Sequence, residues 1–365
     1  MRIGLVIYGS LDTLSGGYLY DQKLVQRLRA NGHVVEIHSL AWRNYALHLL
    51  DNLSIRLRRT LASAGYDILL EDELNHPSLF WVNKILRNKV HTPIVAIVHH
   101  LRSSEARPEW QNRLYRLIER AYLRSLDAMI YNSQTTRSAV EKLSAVKLPH
   151  VVAYPAGDRF DPQISFEEIV ERAHLPGPLR ILFLGNIIPR KGLSTLLQAV
   201  ASIPHDLWEL KVAGSLTVDP AYTHNVRRWA VDHGLAGSVR FTGPLNEEQL
   251  AEQLNTSHVL AVPSSYEGFG IAYLEGMSFG LPAIATTGGA AGEIITSGQD
   301  GFLISPGEAQ TLKEHLVRLI EDREYLAKMS QAARKRFQAQ SGWQDTTAKI
   351  TAFLENMAAG KFEDG

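Results

Sequence analysis

Residues 258–287 read HVLAVPSSYEGFGIAYLEGMSFGLPAIATT, and this segment indicates the architecture of the whole chain. It contains an apolar strand, a loop with Gly268 and Gly270, a helix and a second apolar strand. Strands that alternate with helices in this way predict a parallel sheet covered by those helices. In such open sheets ligands bind beyond the carboxyl ends of the strands, so the loop is a candidate site.

The same alternation extends in both directions from this segment. Short buried strands are predicted at residues 2–8, 34–40, 66–71, 93–99 and 127–132, and again at 179–185, 207–214, 238–243, 258–264 and 282–287. Between the two sets, residues 154–163 are turn-rich and PGP at 176–178 precedes a strand, which indicates a linker near 155–178. We therefore predict an α/β protein with two Rossmann-like, parallel-sheet domains, residues 1–165 and 166–344, facing a central cleft.

Composition excludes several classes of protein. The chain has 365 residues, with 38 Lys and Arg against 38 Asp and Glu, so it has no net charge to attract nucleic acid. It contains no cysteine, which excludes disulfides, zinc–thiolate sites, iron–sulfur clusters and cysteine nucleophiles. The apolar run in MRIGLVIYGS is too short for a signal peptide, and no run approaches a membrane span. We expect a cytoplasmic protein that binds no nucleic acid.

The charges are distributed unevenly along the chain. Residues 1–160 carry 21 Lys and Arg against 14 Asp and Glu, a net charge of +7, and residues 161–365 carry −7. A basic half is typical of a surface that meets something anionic, although a solvated face with no partner is an equally good interpretation.

Two features follow predicted strands in the first half. Gly16 and Gly17 stand between a strand and a helix, where glycine lets a backbone approach a ligand closely and a helix amino terminus favours phosphate. Their spacing is not G-x-G-x-x-G, so a nicotinamide dinucleotide site is unsupported, and a plain tight turn is the alternative. His99 ends the fourth strand, where it could donate a hydrogen bond, carry a proton or be purely structural.

The second half carries two candidate anion sites. Arg190 and Lys191 stand at the predicted start of a helix, where two cations oppose the helix dipole unless an anion lies between them. The segment is not a Walker A loop, because that motif needs glycine at position 190, so it suggests a phosphate site of another kind. Farther along, the amides of Phe269, Gly270 and Ile271 could hold an anion at a helix amino terminus.

Two carboxylates accompany that helix terminus. Glu267 stands just before the helix and Glu275 lies within it, eight residues later. At about 1.5 Å rise per residue the separation is up to ~12 Å, beyond the ~5–9.5 Å of a glycosidase carboxylate pair. We therefore expect the two carboxylates to bind different parts of one elongated ligand.

Together these motifs are similar to those of the retaining GT-B glycosyltransferases of family 4, or glycosyltransferase group 1. The resemblance rests on the E-x7-E spacing of Glu267 and Glu275, with PSSYEGFG before and LEGMSFGLPAIATTGGAAGEII after it. It extends to SGGYLYDQKLVQRLRANGHVVEI, PIVAIVH, RKG, VRFTGPL and YPAGDRFD, and so covers nearly the whole chain. The sequence departs from the pattern at Asn186, where many members carry Arg after the glycine of LFLG.

The resemblance implies a role for each matched residue. Glu275 would bind the nucleotide ribose, and Glu267 the hydroxyls of the sugar. Arg190 and Lys191 would neutralise the diphosphate, and His99 would lie at the reacting centre. The expected catalytic residues are His99, Glu267, Arg190 and Lys191, and the expected donor-binding residues are Gly16, Gly17, Gly185, Asn186, Arg190, Lys191, Phe269, Gly270, Ile271 and Glu275.

The implied reaction transfers a hexose from a nucleotide diphosphate sugar to a hydroxyl acceptor with retention of configuration. Negative charge develops on the leaving oxygen, so fixed cations and helix amides facing the diphosphate lower the barrier. We expect a UDP-sugar as donor, no cofactor and no metal, and we interpret the acidic run EDE at 71–73 as a loop. The alternatives are a sugar-nucleotide epimerase or hydrolase of the same fold and a catalytically silent sugar-nucleotide-binding protein.

Two segments of the basic half indicate the acceptor. Residues 107–125 and 41–63 each combine aromatic and leucine residues with arginines. Taken alone, the first segment favours a helix face packed on the core, formed by Trp110, Leu114, Leu117, Ile118 and Ala121. Together the two segments resemble the face that some family members use to reach lipid-linked acceptors. We expect the first domain to dock on the inner face of an anionic membrane and to glycosylate a lipid or lipid-linked glycan, with a soluble acceptor as the alternative.

A final helical pattern lies near the carboxyl end of the chain. Residues 341–360 read as an amphipathic helix. In the family such a helix crosses back onto the first domain, so we expect residues 345–360 to belong to that domain.

Overall fold

The computed structural model describes residues 1–13 and 15–361 and divides the chain into two α/β units. Unit one contains Met1–Pro155 and the residues from Ser341 onward, and unit two contains Ala156–Gln340. The predicted boundaries, after residues 165 and 344, lie beyond these positions. Residues after Pro155 join unit two because Gly157 packs so closely on Leu274 that a Cβ atom would stand 2.4 Å from Leu274 Cβ. The cleft predicted between the domains stays a prediction.

The described residues of unit one form a parallel sheet of six strands. The strands are β1 (Arg2–Tyr8), β2 (Val34–Leu40), β3 (Ile68–Asp72), β4 (Ile94–Val98), β5 (Ala128–Tyr131) and β6 (His150–Val152). They are arranged in the order β2-β1-β3-β4-β5-β6. The helices are α1 (Gly16–Ala30), α2 (Tyr45–Asp51), α3 (Ile55–Ser63), α4 (His76–Leu86), α5 (Glu109–Leu123), α6 (Gln134–Ser144) and, at the carboxyl end, α15 (Trp343–Ala358).

Unit two repeats this plan with a second six-stranded parallel sheet. The strands are β7 (Leu179–Leu184), β8 (Trp208–Ala213), β9 (Val239–Gly243), β10 (Val259–Ala261), β11 (Ala283–Thr286) and β12 (Gly301–Ile304). Their order is β12-β11-β10-β7-β8-β9. The helices are α7 (Phe166–His174), α8 (Leu193–Ala201), α9 (Pro220–Asp232), α10 (Glu247–Thr256), α11 (Ile271–Ser278), α12 (Ala291–Ile294), α13 (Ala309–Glu321) and α14 (Arg323–Gln338).

Continuous apolar runs explain the central strands. β4, with the sequence IVAIV, is buried at every residue, as expected for a strand covered by helices on both faces. Burying each such aliphatic side chain contributes about 1.5–3 kcal/mol to folding. All ten predicted strands form, whereas the edge strands β6 and β12 escaped prediction. These two strands have only three and four residues, too few to give a recognisable periodicity.

Strand order shows where ligands can bind. In unit two the order reverses between β7 and β10, and in unit one it reverses between β1 and β3. At such a switch point the connections leave on opposite faces of the sheet, which opens a crevice outside the carboxyl ends of the strands. The loops after β7 and β10 are therefore the expected site in unit two.

The carboxyl-terminal helix packs on unit one. The rings of Trp343 and Tyr20 meet edge to face with centroids 5.7 Å apart, and Thr346 Oγ1 donates to Tyr154 O at 2.7 Å. Helix α15 therefore completes unit one, although it lies some 190 residues after β6 in the chain. Among residues 1–13 and 15–361, no helix combines the length and the apolar content that a membrane span requires.

Candidate functional site

Three charged side chains meet beyond the ends of β7 and β10. Lys191 ends a short 3₁₀ turn, Pro189–Lys191, and its Nζ donates to Glu267 Oε1 at 2.5 Å. Arg190 Nη1 lies 3.6 Å from Glu267 Oε2 and donates to Tyr266 O at 2.7 Å. The chain itself thus supplies an anion between the two cations. We call Arg190, Lys191 and Glu267 the charged cluster.

Two glycines let the backbone approach closely enough to build the charged cluster. Gly192 follows Lys191 with φ +70°, and a Cβ there would stand 2.0 Å from Pro263 O. Gly289 has φ +102°, and a Cβ there would stand 2.0 Å from Glu267 O. Only glycine fits these left-handed, crowded positions without strain. The glycines of the RKG and TTGG motifs therefore allow the backbone to place the charged side chains next to one another.

The electrostatics of the cluster favour an anionic ligand. Glu267 is 8% exposed, and Ser264 Oγ donates to its Oε1 at 2.6 Å. Burial opposes the charge on Glu267, but Lys191 and Arg190 overcome that effect and hold its pKa at about 2. Burial lowers the pKa of Lys191, and Glu267 acts in the opposite direction. Two cations against one carboxylate leave a net positive charge, which suits charge-assisted bonds to phosphate oxygens.

The segment after β7 leads directly into the cluster. Gly185 N donates to Ala213 O at 2.9 Å, which extends the β7–β8 pairing beyond Leu184. The Lys191 side chain crosses Gly185, where a Cβ would stand 3.4 Å from Lys191 Cε. Asn186 follows as a half-buried residue of the same turn.

The predicted anion-binding helix terminus is the start of α11. Gly270 is the N-cap residue with φ +107°, and Ile271 is the first helical residue. Phe269, 4% exposed, anchors the preceding loop in the core of unit two. The amides of a first helical turn carry partial positive charge, so this terminus adds to the field of the charged cluster.

Glu275 forms a second charged position on the same helix. It lies in the second turn of α11, is 5% exposed, and its Oε1 stands 3.7 Å from Arg159 Nη1. Burial raises the pKa of Glu275 to about 7, although Arg159 opposes the shift. Glu267 and Glu275 therefore have separate cationic partners.

In unit one, His99 follows β4 and is held on several sides. Its Nε2 lies 3.3 Å from Asp21 Oδ1, and the Tyr20 ring meets it edge to face with centroids 5.3 Å apart. Gly17 makes room for the ring, because a Cβ there would stand 3.2 Å from His99 Cδ2. The His99 carbonyl accepts a hydrogen bond from Asn132 Nδ2 at 2.7 Å. The imidazole is thus fixed in orientation.

Helix α1 delivers both Gly17 and Asp21 to this position. It begins at Gly16, and the hydroxyl of Ser15 caps it by accepting from Tyr18 N at 3.3 Å. Asp21, on the same helix, is fully buried.

The surroundings of His99 favour its protonated form. Burial opposes a charge, but the hydrogen bond to Asp21 and the carboxyl groups of Asp72 and Glu73 raise the pKa of His99 to about 9. Burial, followed by the charge of Asp21, raises the pKa of Asp72 to about 8. These partners favour the imidazolium form of His99, which can donate a hydrogen bond and is a poor general base.

The acidic run at 71–73 is not a loop, so that interpretation is wrong. Glu71 and Asp72 end β3, and Glu73 begins a 3₁₀ turn, with all three buried. Asn83 Nδ2 donates to Glu71 Oε2 at 2.9 Å, and Leu74 N donates to Asp72 Oδ1 at 2.9 Å. These partners satisfy one oxygen of Glu71 and one of Asp72, and burial raises the pKa of all three carboxyl groups, which favours their neutral form.

Within residues 1–13 and 15–361, two groups of buried side chains have atom types that metal ions bind. In each group the ligand-type atoms lie within 4.8 Å of one another, the groups being Asp21, Asp72 and His99, and Glu73, His76 and Glu119. Both ring nitrogens of His76 have partners at 3.0 Å, Glu73 O and Tyr45 Oη, and His99 Nε2 is shared with Asp21. Hydrogen bonds therefore hold both histidines, whereas Asp21 Oδ2, Asp72 Oδ2 and Glu73 Oε1 are buried without a hydrogen-bond partner. That no metal takes part stays a prediction.

Sequence reasoning missed three residues that hold the predicted ones in place. Ser264 binds Glu267, Asp21 binds His99 and Arg159 faces Glu275. Each of the three lies within a motif that resembles the family. Asp21 could have been found from its position four residues after Gly17, on the same face of α1. Arg159 has no such local signal, because Glu275 lies more than a hundred residues away.

Replacing Gly192 with alanine should destabilise the protein by about 2–4 kcal/mol, because it combines a left-handed residue with a steric clash on Pro263. Denaturant unfolding measures the change. Gly307→Ala is the matched control, since Gly307 has φ +84° but a Cβ there would meet no atom within 4 Å, and it should cost only about 1 kcal/mol. Equal losses in the two variants would contradict a close approach of Gly192 to Pro263.

Two Rossmann-like units, the second with a positive cluster at its switch point, define the class of two-domain α/β proteins with the GT-B fold. Solved structures support this class. The chain matches sucrose-phosphate synthase from Thermosynechococcus elongatus with a TM-score of 0.84 and 21% identity, over 99% of this chain and 100% of that one. It matches HepE from Anabaena in complex with UDP-glucose with a TM-score of 0.78 and 19% identity, over 98% and 100% of the chains.

The family follows from sequence. The family described as Glycosyl transferases group 1 matches residues 165–336, and the one described as Glycosyl transferase 4-like domain matches residues 18–157. Together they cover more than four fifths of the chain. The protein belongs to the group 1 glycosyltransferases.

The sequence matches to curated relatives cover only part of each relative. A GDP-mannose-dependent alpha-(1-6)-phosphatidylinositol monomannoside mannosyltransferase of Mycobacterium tuberculosis is 28% identical over 248 residues, 64% of this chain and 63% of the relative. A D-inositol 3-phosphate glycosyltransferase of Streptomyces avermitilis is 32% identical over 203 residues, 53% of this chain and 43% of the relative. The matched residues thus span about two fifths to two thirds of the length of these relatives.

Proposed function

We propose that this protein is a retaining glycosyltransferase that moves a hexose from a nucleotide diphosphate sugar to a hydroxyl acceptor. The proposal rests on one observation, the net positive cluster of Arg190, Lys191 and Glu267 at the switch point of unit two. Within this cluster, Glu267 lies just before α11. A diphosphate supplies the charge and the oxygen acceptors that such an arrangement binds. Glu275, farther along α11, is available for the ribose hydroxyls.

In the proposed reaction, the bond between the anomeric carbon and the diphosphate oxygen breaks. The acceptor oxygen bonds to the same face of that carbon, and its proton passes to the leaving diphosphate. Lys191 and Arg190 stabilise the negative charge that develops on the diphosphate. Glu267 orients Lys191 and accepts hydrogen bonds from sugar hydroxyls, and His99 donates a hydrogen bond to the transferred sugar.

The proposed donor is a UDP-sugar, and GDP-mannose is the competing candidate. HepE is described with bound UDP-glucose, and the mycobacterial relative is named for GDP-mannose. Both nucleotides present a ribose and a diphosphate, the groups that Glu275 and the charged cluster would bind. The two therefore differ only in the base and the sugar.

A panel of UDP-sugars and GDP-mannose tests the proposed function. We expect one donor to be hydrolysed slowly without acceptor, to release the sugar as its retained anomer by proton NMR, and to be inhibited by the matching nucleoside diphosphate. Formation of an epimer without acceptor would assign the protein to the epimerases, and hydrolysis that no acceptor diverts to a glycoside would assign it to the hydrolases. Binding of a donor without any turnover, with or without acceptor, would make it a silent binding protein.

An exposed apolar face on unit one supports a lipid acceptor. Its large apolar side chains, each 42–71% exposed, are Trp42, Leu47, Leu50, Leu53, Ile55, Trp81, Trp110, Leu114 and Leu117. We call this set the tryptophan face. Helix α4 packs on both α2 and α5, and the rings of Tyr45 and Tyr115 join α2 to α5 with centroids 4.6 Å apart. The helices that carry the face therefore form one layer.

The interpretation of the apolar stripe of residues 107–125 as a helix face packed on the core is wrong. Trp110 and Leu117 are 68 and 64% exposed, whereas Asn112 and Glu119 on the same helix are buried. Glu119 can be buried because Ser103 donates to its carboxylate through both N and Oγ, at 3.1 and 2.5 Å. Helix α5 thus buries a satisfied polar face and exposes an apolar one.

The proposed partner of the tryptophan face is an anionic lipid surface. Its helices also expose arginines, namely Arg56, Arg59, Arg113, Arg120 and Arg124. Each basic residue near such a surface contributes about 1 kcal/mol, so four or five of them give reversible, salt-sensitive attachment. We propose that the protein acts as a peripheral enzyme on the cytoplasmic face of a membrane, where its acceptor is a lipid or lipid-linked glycan.

Sedimentation with vesicles tests the attachment. The wild type should pellet with vesicles rich in phosphatidylglycerol at low salt, and should remain in the supernatant with phosphatidylcholine vesicles. Trp110→Ser with Leu117→Ser should reduce the bound fraction at least fivefold, because it removes about 3–5 kcal/mol of apolar insertion. Val231→Ser, at an equally exposed apolar position of unit two, is the control. Equal, salt-independent recovery in both supernatants would favour a soluble acceptor.

A further inference from the structure

Arg159 joins two acidic residues within unit two. Its Nη1 lies 3.7 Å from Glu275 Oε1, and its Nε donates to Glu247 Oε1 at 2.8 Å. The guanidinium also lies over the Phe160 ring, 5.2 Å from the centroid. The Glu247 side chain is 70% exposed, whereas that of Glu275 is 7% exposed. One arginine therefore connects a solvated carboxylate to a buried one.

The backbone, rather than a flexible side chain, brings Arg159 to this place. Gly157 packs on α11 so closely that a Cβ would stand 2.4 Å from Leu274 Cβ and 3.1 Å from Glu275 N. Arg159 is only two residues farther along. Its guanidinium is thus delivered to the helix at the level of Glu275, and Phe160 and Glu247 restrict its movement.

A buried carboxylate needs such a partner to stay ionised. Without a nearby cation, burial favours the neutral carboxylic acid. An ionised carboxylate accepts hydrogen bonds on both oxygens, whereas a carboxylic acid becomes a donor on one of them. The two hydroxyls of a ribose can each donate to a different oxygen of one carboxyl group only when that group is ionised.

We propose that Arg159 is a positioning residue of the donor site, which favours the ionised form of the Glu275 carboxylate and orients it toward the ribose hydroxyls while Glu247 and Phe160 hold the guanidinium. The inference rests on the proposed function, and it concerns nucleotide binding rather than sugar transfer. In this proposal Arg159 acts through Glu275 rather than through the phosphates.

The proposal has a definite pH dependence. The charged groups that face the Glu275 carboxylate are Arg159, from the segment before α7, and Glu247, the first residue of α10. With Arg159 present, the pKa of Glu275 is about 7, so roughly half of the chains bind in the ionised form at pH 7. Without Arg159 the pKa rises further, and the ionised fraction at pH 7 falls. As the pH rises toward 9, the Glu275 carboxyl group ionises in both proteins, so the difference between them shrinks.

Isothermal titration of Arg159→Gln tests the proposal. Two ligands are used. The first is UDP or GDP, whichever binds the wild type, and the second is the 2′,3′-dideoxy analogue of that nucleotide. We expect about tenfold weaker binding of the ribonucleotide at pH 7 and less than threefold at pH 9, since affinity follows the ionised fraction. The dideoxy analogue, which has no hydroxyl for Glu275, should bind both proteins equally. Arg159→Lys should restore most of the loss.

Arg228→Gln is the matched control, because Arg228 is 72% exposed and pairs with Asp232 on its own helix. It should leave binding unchanged at every pH. A loss in Arg159→Gln that is the same at pH 7 and 9, or that extends to the dideoxy analogue, would overturn the proposal while leaving the proposed function intact. A wild type that binds neither UDP nor GDP would overturn both.

Discussion

Lys191→Ala should lower kcat/KM for the donor by about 100-fold. The ammonium group makes a charge-assisted bond to Glu267, and the proposed reaction needs the same charge on the leaving diphosphate. Each such bond is worth about 1.5–3 kcal/mol, and its loss also leaves Glu267 buried with only Arg190 as a charged partner. Steady-state kinetics with the hydrolysed donor, together with nucleoside diphosphate titration, measure the effect.

A double variant separates the functional loss from the structural one. Lys191→Met with Glu267→Gln removes both buried charges, so it should recover most of the stability that Lys191→Ala loses. It should not recover donor binding, because the charge that faces the diphosphate is still missing. Lys328→Ala, at a 70% exposed lysine of unit two, is the surface control and should behave as the wild type. Restored binding in the double variant would mean that Lys191 only stabilises the fold.

His99→Ala should lower kcat by about 100-fold while the affinity for nucleoside diphosphate stays nearly unchanged. In the proposed mechanism His99 donates a hydrogen bond to the transferred sugar, and loss of one fixed donor at a reacting centre typically costs about 10²–10³ in rate. A change confined to kcat is the signature of an interaction that matters in the transition state. Kinetics and titration on the same preparation provide both values.

The neighbouring histidine is the control for this prediction. His100 Nε2 lies 2.9 Å from Glu105 Oε1, in a contact separate from that of His99 with Asp21. His100→Ala should therefore retain most of the activity. If His100→Ala is the inactive variant and His99→Ala is not, the role belongs to the adjacent position.

The protonation of His99 adds a pH profile. Its pKa of about 9 means that the imidazolium persists through neutrality, so the wild-type rate should fall as the pH rises through about 9. Asp21→Asn removes the negative charge that contributes most to raising the pKa of His99, so it should move this alkaline limb to lower pH. A limb that does not move would show that another group titrates there.

Local sequence determined much of the fold. Runs such as IVAIV in β4 are apolar at every position, and a chain can bury such a run only between two covering layers. Glycines at crowded turns, including Gly192 and Gly270, can also be recognised from sequence, because few other residues fit a left-handed backbone. The edge strands β6 and β12 were missed, since three or four residues show no period.

Residue types also indicated the components of the site before their arrangement was known. Arg190 and Lys191 signalled a local conflict with a helix dipole, and Glu267 and Glu275 stood at a suggestive spacing. The pairing of Lys191 with Glu267 bridges 76 positions of the chain. Such a contact depends on β7 and β10 being neighbours in the sheet, which strand order decides and local sequence does not.

The direction in which a side chain faces was decided only by tertiary structure. The apolar stripe of α5 has the period of a core helix, yet Trp110 and Leu117 are exposed and Glu119 is buried on Ser103. The acidic run at 71–73 has the composition of a loop, yet it ends a buried strand. Periodicity records which residues share a face, whereas burial depends on which neighbour covers that face and whether it supplies hydrogen bonds to the polar groups.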